Sequence, residues 1–222
     1  MNKIFKKLIN HFLYPKQSIF FDIRKIYNIY CYLMITHYYK VHIPKTEFLI
    51  KPDFIDLLNL YKIILKRKPK CVLEIGAGCS TWVILSSLQK NYLNDNIKPT
   101  FFSMEQNQEY LEKMKSFFSV NDFKILQFMK TDLKIQKING EKVSICDPLP
   151  KIKINFLYED REDHAETSIA ADALLIEHMM PDDYFICVDG MKTTVMFFKK
   201  NLKRNYSISK GIFSGTNFEP KN

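Results

Sequence analysis

Glycine is scarce in this chain, with six residues in 222 and none among the first 50. There is no glycine-rich linker, repeat or low-complexity stretch, so one domain of ordinary size with an extension is expected. Disulfide chemistry is equally poorly supported. The five cysteines (Cys31, Cys71, Cys79, Cys146 and Cys187) are odd in number and show no C-x-x-C spacing. That pattern argues for reduced thiols and a cytoplasmic setting. No apolar run is long enough to span a bilayer. The basic start lacks the clean apolar stretch and small-residue cleavage site of a secretory leader.

What is present is an apolar share of 46%, enough for a core, and a net charge of +9 that is unevenly spread. The first 50 residues hold eight Lys/Arg against Asp22 and Glu47, together with 11 of the 30 Phe and Tyr. Residues 1–45 are read as a helical cap with its aromatic side on the domain and its lysines in solvent. Peripheral contact with an anionic membrane is the lesser reading, and nucleic acid is set aside because the motifs of its known binding modules are missing.

Residues 3–13 and 18–39 have helical character, interrupted at Pro15, and Pro44 and Pro52 bracket an extended passage. Asp53 is a helix start signal, and Phe54, Leu57, Leu58, Tyr61, Ile64 and Leu65 follow at helical spacing. Beyond this point strands and helices alternate, which implies a parallel sheet. Strands are expected at 71–75, 100–104, 124–129, 154–158 and 184–188, with helices at 80–90, 109–118, 168–179 and 193–202. Residues 133–150 are expected to form a short hairpin or loop, and 206–213 and 215–219 a closing pair of strands.

The most informative stretch is 71–81, Cys-Val-Leu-Glu-Ile-Gly-Ala-Gly-Cys-Ser-Thr. A strand runs into a glycine turn and then a helix, the arrangement by which an open parallel sheet meets a nucleotide. A carboxylate at Glu74 would repel a pyrophosphate but suits a cofactor with no phosphate and a positive charge. Thr81 stands where a dinucleotide fingerprint has its third glycine. The pattern Glu-x-Gly-x-Gly-x-Ser-Thr resembles motif I of the class I S-adenosylmethionine-dependent methyltransferases. The resemblance extends over residues 45–219. It implies an α/β fold with a Rossmann-like seven-stranded, mostly parallel sheet, helices on both faces and the last strand antiparallel. It makes 46–222 the methyltransferase-like domain and 1–45 an N-terminal extension. Glu74, Gly76, Ala77, Gly78, Ser80 and Thr81 would then be cofactor-binding.

The expected strands end in Glu74, Glu105, Asp132, Asp160 and Asp189, and ligands of such sheets sit beyond those ends. Each acid also has a plainer reading as a helix cap or loop charge. Glu105, after the second strand, is placed to accept the ribose hydroxyls. Asp132 matches the family position that takes the adenine amino group. The methyl acceptor should meet the cofactor at 157–164, where His164 could be a general base held by Asp160, or Asp160 could act alone. Asp160 and Asp189 also resemble the two metal-binding acids of catechol-type O-methyltransferases. Gly190 replaces the asparagine of that set, so no metal is assigned.

The reading is therefore methyl transfer from S-adenosylmethionine to a small-molecule acceptor, anionic or sugar-linked, through an oxygen nucleophile. The partners expected are that small molecule and a second copy in a homodimer. A nicotinamide-dependent oxidoreductase and a non-catalytic cofactor-binding scaffold are the alternatives. A nucleic-acid methyltransferase is demoted because Tyr158-Glu159-Asp160-Arg161 stands where an Asn/Asp-Pro-Pro-Tyr motif would be.

Overall fold

The computed structural model describes residues 18–44, 52–161, 169–210 and 215–221. Helix α1 covers Ser18–Leu33 and runs into a π-helical turn at Met34–Tyr38; α2 covers Phe54–Arg67. Asp53 caps α2 as expected, accepting the Ile55 N–H at 2.9 Å. The alternation that follows gives β1 (Cys71–Ile75), α3 (Cys79–Asp95), β2 (Thr100–Glu105), α4 (Gln108–Lys115) and β3 (Leu126–Lys130). Next come β4 (Asp132–Ile138), β5 (Glu141–Asp147), β6 (Phe156–Glu159), α5 (Asp172–Ile176), β7 (Phe185–Val188), α6 (Lys192–Asn201), β8 (Tyr206–Lys210) and β9 (Thr216–Pro220).

Seven strands form one sheet in the order β3-β2-β1-β6-β7-β9-β8, with helices on both faces. The pairings from β3 to β7 are parallel, and β9 runs antiparallel to both its neighbours. The passage 133–150 is a hairpin: β4 and β5 form a separate antiparallel ribbon turning at Asn139-Gly140. The helix expected over 168–179 is shorter, with one turn of α5 and a 3₁₀ turn at Glu177–Met179.

Strand alternation divides the core. Val72, Phe101, Leu126 and Phe156 face α2 and α3, while Leu73, Ile75, Leu157 and Ile186 face the layer of α5, α6 and the hairpin. Both faces of these central strands are covered, which explains their near-continuous apolar runs. Helix α3 buries Trp82, Val83, Ile84, Leu85 and Leu88 between sheet and α2, each such side chain contributing about 1.5–3 kcal/mol.

Helix α1 packs on the domain along one side only. One side packs on α2: Cys31 and Ile35 are buried, Asn28 Oδ1 accepts the Phe54 N–H at 2.9 Å, and Tyr32 meets Phe54 edge-on. Its other side is apolar as well as exposed, through Ile23, Ile26, Ile29, Tyr30 and Leu33. Of its tyrosines and those in and after the π turn, Tyr32 and Tyr39 pack against Phe54 and Tyr61 as expected, while Tyr27, Tyr30 and Tyr38 lie outside. The cause is that apolar residues occupy both flanks of this helix, and α2 can cover only one of them.

Candidate functional site

Beyond the carboxyl ends of β1, β2, β6 and β7 lies a cleft of about 550 Å³. One end is lined by the glycine turn from Ile75 to Ser80, by the β2 end with Glu105, and by Tyr110 and Thr131. The other is lined by Asp53, Asp56 and Leu57 of the α2 start, by Tyr158, Asp160 and Asp189, and by Arg24 of α1.

The two glycines do different work. Gly76 has φ +97°, and a Cβ there would lie 1.9 Å from the Asp160 carbonyl oxygen, so the position tolerates no side chain. At Gly78 an added Cβ would meet nothing within 4 Å, so a side chain there would fill cleft space.

The backbone donors of the turn are engaged within the protein. Gly76 N–H donates to the Met104 carbonyl at 3.0 Å, and Gly78 N–H to the Thr81 hydroxyl at 3.1 Å. Ala77 N–H, with those of Gln106 and Asn107, faces the Glu105 carboxylate. Burial raises the Glu105 pKa, and these N–H groups oppose the rise.

Glu74 and Thr81 are placed by the structure beneath the turn and not on the cleft wall. Glu74 shares the strand face of Val72 and is fully buried under α3. Its Oε2 accepts the Thr81 hydroxyl at 2.7 Å and the Ser103 hydroxyl at 2.6 Å. Burial pushes its pKa up to about 7, only partly offset by the Ser103, Ser80 and Thr81 hydroxyls. The expectation that Glu74 screens ligands by facing them therefore changes: it acts from below, by holding Thr81, which in turn holds Gly78.

Gly76, Ala77, Gly78, Ser80, Glu105 and Asp160 all line the cleft. Asp132 does not; its side chain is 83% exposed and ion-paired with Lys130 at 2.7 Å, which lowers its pKa. The inward residue at that strand end is Thr131, 3% exposed. His164 lies outside the described residues.

Sequence reasoning missed Asp56 and Arg24, and placed Tyr158 in the acceptor passage without giving it a role. The Tyr158 hydroxyl sits between two carboxylates, 3.3 Å from Asp160 Oδ2 and 3.1 Å from Asp189 Oδ2. Burial and those acids hold its pKa well above the ordinary phenol value, so it remains a hydroxyl. The parity of strand 156–159 was a usable signal, since Tyr158 must share the face of Phe156. Asp56 sits three residues after the Asp53 cap, one helical turn along the same side. Arg24 pairs with Asp53 at 2.7 Å, a contact no local pattern encodes.

Arg161 anchors the end of β6. Its guanidinium lies 3.3 Å from Asp172 Oδ2 and 3.9 Å from Glu159 Oε1, and donates to the Ser144 carbonyl at 2.9 Å. Among the described residues no group of three or more His, Cys, Asp or Glu is arranged to hold a metal ion.

No protein-family model matches the chain, and no curated protein sequence matches it significantly. Solved structures do match in three dimensions. The SAH-bound methyltransferase PaMTH1 of Podospora anserina superposes with a TM-score of 0.54 at 10% identity, over 94% of this chain and 98% of that one. A candidate caffeoyl-CoA O-methyltransferase from Staphylococcus aureus gives 0.51 at 12%, over 92% and 98%. The sheet order and these superpositions define the Rossmann-like fold of the class I methyltransferases.

Proposed function

We propose that this protein transfers a methyl group from S-adenosylmethionine to the oxygen of a small-molecule acceptor. The observation that carries the reading is the inward engagement of the glycine turn. A pyrophosphate needs free backbone N–H groups over such a turn. Here those of Gly76, Ala77 and Gly78 are directed to Met104, Glu105 and Thr81. The cleft suits a cofactor without phosphate, and the open space over Gly78 is a cradle that a side chain would fill. S-adenosylmethionine supplies, when bound, a methyl group on a sulfonium that a nucleophile can attack in line.

The chain's own residues would then divide the work. Glu105 accepts the ribose hydroxyls at the β2 end, and Tyr110 flanks the adenine. Ala77, Gly78 and Ser80 shape the wall beside the amino-acid tail. Asp132, turned outward beside Lys130, has no part in this arrangement. Asp160 takes the acceptor hydroxyl proton, with Tyr158 fixing its carboxylate; His164 follows four residues on and is the alternative base. Binding mainly contributes proximity and alignment.

The acceptor end carries Asp53, Asp56, Asp160 and Asp189 against Arg24, paired with Asp53, and Arg161, paired with Asp172. This favours a neutral or cationic hydroxyl-bearing acceptor over the anionic one suggested by the net charge. The charge of the whole chain is not the charge of its cleft.

Isothermal calorimetry decides the reading. S-adenosylhomocysteine should bind and NAD should not; NAD binding with no response to S-adenosylhomocysteine would overturn it.

A further inference from the structure

The outer side of α1 has the chemistry of an interior without being one. Ile23 is 58% exposed, Ile26 57%, Ile29 61%, Tyr30 51% and Leu33 46%, and Tyr38 in the following π turn is 70% exposed. On a helical projection Ile26, Ile29, Tyr30 and Leu33 share the side opposite Cys31 and Ile35, which are buried against α2. A surface helix ordinarily presents polar side chains there. A contiguous apolar patch of this kind marks a docking surface.

Charge identifies the occupant. Residues 18–44 contain Arg24, Lys25 and Lys40 against a single acid, Asp22. Residues 1–17 add Lys3, Lys6, Lys7 and Lys16, without an acid. A second copy seated on this side would bring the same basic segment to both halves of the contact. The chain's own first residues are equally basic. An anionic lipid surface complements both properties, taking the isoleucines and tyrosines into the headgroup–acyl boundary and the lysines against its charge. The sixteen described residues of α1 rise about 24 Å, less than a hydrocarbon core of about 30 Å. Among the described residues no helix is long and apolar enough to cross a membrane.

We infer that α1 docks in the plane of an anionic bilayer through Ile23, Ile26, Ile29, Tyr30 and Leu33. This is independent of the reaction proposed above.

The test is co-sedimentation of the full chain with phosphatidylcholine vesicles, with and without about a third phosphatidylserine. Binding is expected on the anionic vesicles, weakening as salt rises and absent on the neutral ones. The triple change Ile26→Ser, Ile29→Ser, Leu33→Ser should reduce it by roughly tenfold or more. If that variant does not fold, the single change Ile29→Asp, at the most exposed of the five positions, decides in its place. No binding to anionic vesicles at low salt would overturn the inference, as would undiminished binding by the variant that folds. So would a dimer in sedimentation velocity that the substitutions dissolve while vesicle binding stays absent.

Discussion

The Thr81 hydroxyl is the hinge pin between Glu74 and the glycine turn: it donates to the buried carboxylate at 2.7 Å and accepts the Gly78 N–H at 3.1 Å. A strand-end acid, a helix side chain and the turn backbone are thereby one unit. Thr81→Val keeps the shape and removes both bonds, leaving Glu74 with one fewer donor in a buried site. A stability loss of about 1–3 kcal/mol is expected by chemical denaturation. Cofactor affinity should fall as well, because Gly78 loses its anchor; calorimetry with S-adenosylhomocysteine measures this.

Glu74 should also give the protein a pH-dependent stability. Its pKa rises from 4.5 to about 7 on folding, so between those values the native state holds a proton that the unfolded chain releases. The associated stability is fully present below the unfolded pKa and is lost as pH rises through the folded one. Relative to Glu74→Gln, the wild type should lose melting temperature between about pH 4.5 and 7 and keep a constant deficit above. Parallel curves for the two proteins over that window would show that Glu74 does not titrate there.

Glycine substitutions should separate folding from binding. Gly76→Ala puts a Cβ 1.9 Å from the Asp160 carbonyl oxygen at a positive φ, and a loss of about 2 kcal/mol or more is expected. Gly78→Ala meets no protein atom within 4 Å, so thermal stability should stay close to wild type while S-adenosylhomocysteine affinity falls. Equal melting temperatures for the two variants would contradict the assignment.

At the β2 end, Glu105→Gln retains the volume and removes the charge. Cofactor affinity should weaken by about 1.5–3 kcal/mol, the range for a hydrogen bond to a charged group. Unchanged affinity in calorimetry would move the ribose contact to another residue.

Strands, helices and the glycine turn were legible because apolar blocks, caps and turn residues are local signals. Asp53 started α2 where its residue type said it should. Facing was harder, because strand side chains alternate and a shift of one residue exchanges inside for outside. Thr131 and Asp132 are adjacent, and the neutral one points in while the acid points out to Lys130. Glu74 stood at the right place in the chain, but its parity with Val72 sends it under α3, not into the cleft. Arg24 and Asp56 reach the cleft through the packing of α1 and α2 against the domain, and no periodicity reports such a pairing. Helix α1 was recognised as a helix, yet apolar residues on both of its sides left the buried side undecided until α2 was in place.

The sheet order has a consequence for how the protein is made. Strand β1 pairs on one side with β2, close in the chain, and on the other with β6, where Val72 meets Phe156. On the ribosome, β1, β2 and β3 can therefore come together with α3 well before β6 emerges, since contacts of short sequence separation form first. Until then the glycine turn lacks the Asp160 carbonyl against which Gly76 is fitted and the Asp160 N–H that donates to Ile75 at 3.0 Å. A nascent chain halted in the β4–β5 hairpin would own the turn and half of the cleft's wall. It would gain no protection from proteolysis by S-adenosylhomocysteine, which should appear abruptly once residues 156–189 have cleared the exit tunnel.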